Sequence, residues 1–137
     1  MRRGVFVLPV LLALAASAGA FARPAANPTV LPDCLGKPQT APTEITLACG
    51  DGNESLFGIR WTGWGATFAA GLAKISIDDC KPNCAAGTEH DYPVVVVVSG
   101  RQTCKPSGKL AYVKVTIAFV DAKPHTAASQ TFPCRTP

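Results

Sequence analysis

The stretch Tyr92-Pro93-Val94-Val95-Val96-Val97-Val98 decides the fold class. Consecutive β-branched residues favour a strand, because two heavy atoms on Cβ pack well on a pleated surface and lose freedom against a helical turn. A run that is apolar on both faces needs cover on both faces. The strand is therefore expected at the centre of a sheet, since at an edge it would invite aggregation.

Strand signals continue on either side. Downstream, residues 110–120 place Ala111, Val113, Val115, Ile117 and Phe119 on one face, the period-two pattern of a half-buried strand. A polar return over 121–131 and a short final strand at Thr131-Phe132 are expected to follow. Upstream, residues 66–77 end in the alternation Ala73, Ile75, Ile77 and predict another strand. Residues 67–73 are alanine-rich enough for a helical turn, against which Gly71 weighs about 1 kcal/mol. Earlier still, Ile45, Leu47 and Cys49 alternate with Glu44, Thr46 and Ala48. Gly50-Asp51-Gly52-Asn53 then supplies turn residues before a second run from Leu56 to Trp61, which predicts a hairpin. Short strands without an amphipathic helix predict an all-β fold: an antiparallel β-sandwich or small barrel of five to six short strands, stapled by disulfides.

The chain of 137 residues has room for one small domain. Residues 1–22 read as a signal peptide: Arg2 and Arg3, an apolar run from Val5 to Ala16, and Ala20-Phe21-Ala22 at the cleavage point. Removing that segment takes away two arginines and no acid, so the formal charge falls from +4 to +2. Residues 23–43, with Pro24, Pro28, Pro32, Pro38 and Pro42, read as an extended leader, and residues 44–137 as the β-domain. The apolar run is too short to span a bilayer, which takes about 20 residues, so no membrane span is expected. The remaining basic residues are scattered, and a polyanion needs them clustered, so no nucleic-acid partner is expected. The expected location is secreted, extracellular or in the cell envelope.

All six cysteines fall in the exported part, and an even number there predicts disulfides. Nearness along the chain favours Cys34–Cys49, Cys80–Cys84 and Cys104–Cys134, each bracketing turn residues. Zinc is the weaker reading of Cys80-Lys81-Pro82-Asn83-Cys84: the spacing is one residue longer than a C-x-x-C knuckle, and no second pair matches it. No metal and no cofactor are expected.

No G-x-S-x-G elbow is present, and His90 is the one histidine set among acids, Glu89 and Asp91. Asp51, Glu54, Asp78, Asp79 and Glu89 all fall in expected turns, where acids serve the backbone. Oxygen ligands cluster at Asp51/Asn53 and Asp78/Asp79, but neither place matches the twelve-residue calcium loop. No catalytic residue is assigned. Trp61 and Trp64 are the candidate ligand-binding residues, as aromatic faces for sugar stacking, with Asp51 and Asn53 as hydrogen-bonding partners. The competing reading puts both indoles in the core, helped by the flanking glycines.

Cys49-Gly50-Asp51-Gly52-Asn53, Trp61-Thr62-Gly63-Trp64-Gly65 and Cys80-Lys81-Pro82-Asn83-Cys84-Ala85-Ala86-Gly87, in that order, resemble a group of small secreted proteins of actinobacteria. The resemblance covers residues 43–98. It implies an exported, disulfide-bearing β-domain and carries over no catalytic residue. Cys34, Cys104 and Cys134 lie outside the shared part, so a bridge from Cys49 to the Cys80/Cys84 loop is the alternative to the neighbour pairing. The function expected is a secreted, non-enzymatic domain that binds an extracellular ligand or protein through its loops. The alternatives are a small hydrolase using Asp51, Asp78 or His90, and an inhibitor of extracellular hydrolases that presents the Cys80–Cys84 loop.

Overall fold

The computed structural model describes residues 28–121 and 128–136. The export segment expected over 1–22 lies outside them. The described strands are β1 (Leu31–Pro32), β2 (Pro38–Gln39), β3 (Glu44–Thr46), β4 (Glu54–Thr62), β5 (Ala69–Asp78), β6 (Glu89–Ser99), β7 (Gln102–Thr103), β8 (Lys105–Pro106), β9 (Leu110–Ala111), β10 (Lys114–Phe119), β11 (Ala128–Thr131) and β12 (Arg135–Thr136). The described residues contain no helix, and none of them forms a segment long and apolar enough to cross a membrane as a helix.

A six-stranded antiparallel sheet in the order β11-β10-β6-β5-β4-β3 carries the fold. The valine strand β6 sits in its middle, as its two-faced apolarity requires. Val94, Val96 and Val98 are fully buried, and they stand opposite Ala73, Gly71 and Ala69 of β5 and Phe119, Ile117 and Val115 of β10. Val95 and Val97 on the other face are only half-buried, beside Leu72 and Ala70, and Leu72 is exposed. The expected cover on both faces is thus not met: among the described residues that face is shielded only by neighbouring side chains of the same sheet.

The sheet curls into an incomplete barrel around Leu56, Ile59, Ile75, Val96, Val115 and Ile117. Gln130 of β11 reaches Leu47, just past β3, with its side-chain amide donating to the Leu47 carbonyl at 2.7 Å. A second, smaller core of Val30, Cys104 and Ala111 packs beside Cys134. Around it β7 pairs with β9 antiparallel, β8 pairs with β12 parallel, and Val30 bridges to Ala111. The disulfides are Cys34–Cys49, Cys80–Cys84 and Cys104–Cys134.

Several local expectations differ from the structure. Order starts well before Thr43, because Val30 and Leu31 are buried in the two cores and β1 pairs with β2. The alanine-rich 67–73 stretch enters β5 without a helical turn, held by cross-strand pairs from Ala69 onward. The long alternation over 110–120 is broken at Tyr112-Val113: Tyr112, not Val113, is fully buried, and its N–H donates to Val30 O at 2.9 Å. The return over 121–131 already contains strand β11. In β4 the strict alternation also fails, because a register shift between Phe57 and Arg60, with Gly58 at φ 63°, turns both Leu56 and Ile59 inward. Glycine allows that positive φ at little cost, as a bulge of this kind needs.

Candidate functional site

Both aromatic candidates contact the N-terminal segment through their indole N–H groups. Trp61 Nε1 donates to Pro42 O at 2.7 Å and Trp64 Nε1 to Thr29 O at 2.9 Å, so each indole pins the N-terminal segment to the sheet. The two rings meet edge to face with centroids 4.9 Å apart, and Trp64 meets Tyr112 in the same way at 5.3 Å. Both tryptophans are half-buried against the main core. Trp61 also lies over Gly71, its cross-strand partner, where an added Cβ would come within 3.3 Å of the indole. Tyr112 completes the cluster: its hydroxyl donates to Ala66 O at 2.7 Å and accepts the Gly65 N–H at 3.1 Å.

Asp51 and Asn53 are not part of this cluster. They occupy the turn before β4, whereas Trp61 is near that strand's far end. At roughly 3.3 Å per residue the two places are more than about 20 Å apart. Asp51 Oδ1 accepts the Asn53 N–H at 3.3 Å, a local turn contact. Asn53 faces a different neighbour: its carbonyl accepts the Asp78 N–H at 3.0 Å, and its side-chain amide lies 3.7 Å from Cys80 Sγ.

That neighbour is the loop joining β5 to β6, the most heavily braced irregular segment described. Asp78 Oδ1 accepts the Cys80 N–H at 2.7 Å. Asp79 Oδ1 accepts the N–H groups of Lys81 at 3.1 Å and Thr88 at 3.0 Å, and the Asp79 N–H donates to Thr88 O at 3.1 Å. Asn83 Oδ1 takes the N–H groups of Ala85 and Ala86, both at 3.1 Å, and the Cys80–Cys84 bridge closes the tip. A side chain at Gly87 would run into the Asp78 carboxylate and the Cys80 N–H, so only glycine lets the returning chain pass this close. The Asp79 carboxyl is held below its ordinary value of 3.8, first by the Thr88 N–H and then by the Lys81 N–H, with His90 adding to the effect. His90 Nε2 lies 3.4 Å from Asp79 Oδ2. Lys81, Pro82, Asn83, Cys84, Ala85 and Ala86 are all exposed.

Of the carboxylates considered for hydrolysis, Asp51, Asp78 and Asp79 are occupied with backbone, whereas Glu54 and Glu89 open strands β4 and β6 and do not lie in the expected turns, and Glu89 Oε2 accepts the Ser76 hydroxyl at 3.3 Å. Asp51, Asp78 and Asp79 each accept peptide N–H groups, the usual employment of aspartate in turns. Among the described residues, no three His, Cys, Asp or Glu side chains converge as metal ligands. The spacing of Cys80 and Cys84 marked the loop in the sequence. The bracing roles of Asp79, Gly87 and Thr88 were not foreseen, although an Asp pair before the first cysteine and a Gly-Thr pair after the second are the residues that build such turns. The chain matches no protein-family model, no curated protein and no solved structure.

Proposed function

We propose that the protein is an exported, non-catalytic recognition domain that engages a protein partner through the loop over residues 78–88. One observation carries this function: the loop's backbone is fixed by Asp78, Asp79, Asn83 and the Cys80–Cys84 bridge, while the side chains at its tip face solvent. A segment ordered before contact loses little conformational entropy on binding, and that is the main advantage of a preorganised binding loop. Three disulfides fit an oxidising environment outside the cell. The resemblance to small secreted actinobacterial proteins agrees with export and includes this loop.

The experiment is capture of partners from the extracellular protein fraction with the wild type and with a Lys81→Glu/Ala85→Arg variant. That variant changes the exposed tip and leaves the bracing side chains intact. A partner held by the wild type and lost by the variant supports the proposal, and equal capture by both overturns it. A narrower reading, inhibition of an extracellular hydrolase, is favoured by the way the braced tip can enter a cleft. Lack of inhibition across a panel of proteases and glycosidases removes it.

A further inference from the structure

Away from that loop, a groove of about 580 Å³ lies between the β1–β2 hairpin and β3. Its size falls within the roughly 300–1,000 Å³ typical of ligand sites. One wall is the last strand of the six-stranded sheet. In the β3–β4 ladder Leu47 N–H donates to Glu54 O at 2.9 Å and Ile59 N–H to Thr43 O at 3.0 Å. Antiparallel pairing alternates, so Glu44 and Thr46 direct their backbone N–H and C=O groups away from β4, on the groove side. The sheet has curled far enough for Gln130 to touch Leu47; among the described residues β3 has no strand partner on its other side, where the Cys34–Cys49 bridge lies against it with Cys34 Sγ 3.6 Å from the Thr46 carbonyl oxygen.

The lining adds apolar and acidic character. Leu31, Pro32, Leu35, Pro42 and Ile45 supply apolar surface, and Leu35 is 91% exposed. The charged lining residues are Asp33 and Glu44, both acidic. Asp33 is fixed in place because its Oδ1 accepts the N–H groups of Leu35 at 2.9 Å and Lys37 at 2.8 Å.

We propose that this edge takes up an extended segment of a partner polypeptide as an added strand, and that the segment alternates Lys or Arg with apolar residues. The Glu44 N–H and C=O and the Thr46 N–H supply main-chain hydrogen bonds, the usual source of affinity when a strand is added to a sheet edge. Asp33 and Glu44 select the basic residues by charge complementarity, and the apolar lining receives the alternate side chains. A second copy of this chain is a poorer occupant: pairing β3 with β3 about a two-fold axis brings Glu44 and Asp33 of both copies to one seam. The site shares no residue with the loop over 78–88, so either proposal can fail without the other.

The test is selection from a phage-displayed library of short linear peptides on the oxidised full chain, followed by calorimetry of the enriched peptides. Enriched sequences are expected to carry Lys or Arg alternating with apolar residues, and to bind Thr46→Pro and Glu44→Lys roughly tenfold more weakly than wild type. Proline at 46 removes only an outward N–H, which edge strands tolerate, so cooperative unfolding of that variant is expected to stay near wild type. Should Thr46→Pro not fold, Glu44→Lys and slowed exchange of the Glu44 and Thr46 amides on peptide binding decide the matter. No enriched sequence, or peptides that bind without slowing those amides and without loss in Glu44→Lys, overturns the proposal. So does self-association that Thr46→Pro abolishes, which assigns the edge to a second copy.

Discussion

Gln130 and Leu47, 83 positions apart, are joined by a 2.7 Å hydrogen bond from the glutamine side chain to the leucine carbonyl. One belongs to β11 and the other directly follows β3, the two margins of the sheet. The contact closes the curl that encloses the core. Gln130→Ala leaves the partly buried Leu47 carbonyl without this donor and is expected to lower stability by about 1 kcal/mol. Urea unfolding checks this, and an unchanged midpoint would place the closure elsewhere.

Tyr112 is fully buried, and its hydroxyl serves both Gly65 and Ala66. Tyr112→Phe keeps the ring contact with Trp64 and strands a backbone donor and an acceptor, so a loss of about 1–3 kcal/mol is expected. Thermal or urea unfolding measures it. Trp64 Nε1 and the Trp61–Trp64 contact should survive, so the near-ultraviolet circular dichroism of the variant is expected to resemble that of wild type.

How far the sequence foretold these features depends on where each residue's partner lies. The central place of the valine strand was legible because pairing on both sides follows from β6 alone; the expected cover on both faces was not met, since Val95 and Val97 are only half-buried. Cysteine pairing by nearness also appears in the structure, because each bridge closes a segment rich in turn residues. Tyr112 was not legible as core: its parity in the alternating run is wrong, and its placement comes from Val30, 82 positions away, which takes its N–H. Leu56 and Ile59 share a face only because Gly58 takes a positive φ, a choice that periodicity does not encode. Trp61 and Asp51 are close in sequence, yet Trp61 lies near the far end of the nine-residue strand β4, which begins just after the turn that holds Asp51. The groove at β3 left only a faint mark, a short alternating run at Glu44–Thr46 behind Pro42.

Gly87→Ala is expected to loosen the loop over 78–88 without unfolding the sheet. The added methyl displaces the Asp78 carboxylate from the Cys80 N–H. Faster amide exchange at Cys80 and Thr88, with unchanged exchange in β5 and β6, is the expected result. Unchanged loop exchange would show that the bracing does not depend on this close passage.

Asp79 provides a pH test. Its folded carboxyl titrates below the ordinary 3.8 because peptide N–H groups of Thr88 and Lys81 stabilise the charged form. A lowered value means that its contribution to loop order is fully present above the unfolded pKa and is lost as pH falls through the lowered folded one. Carbon-detected NMR titration is expected to place the Asp79 midpoint below 3.8, with Thr88 and Lys81 amide shifts following the same curve. A midpoint at or above the ordinary value contradicts the assigned hydrogen bonds.

The exposed tip of the braced loop is the surface we propose a partner recognises. Photo-crosslinking tests this most directly: a photoreactive amino acid is placed at Ala85, and in a control at exposed Thr62 on the sheet, and both are exposed to the extracellular protein fraction. A discrete crosslinked partner is expected from position 85, absent from position 62 and competed away by unlabelled wild type. A partner crosslinked equally from both positions, or from the sheet alone, contradicts it.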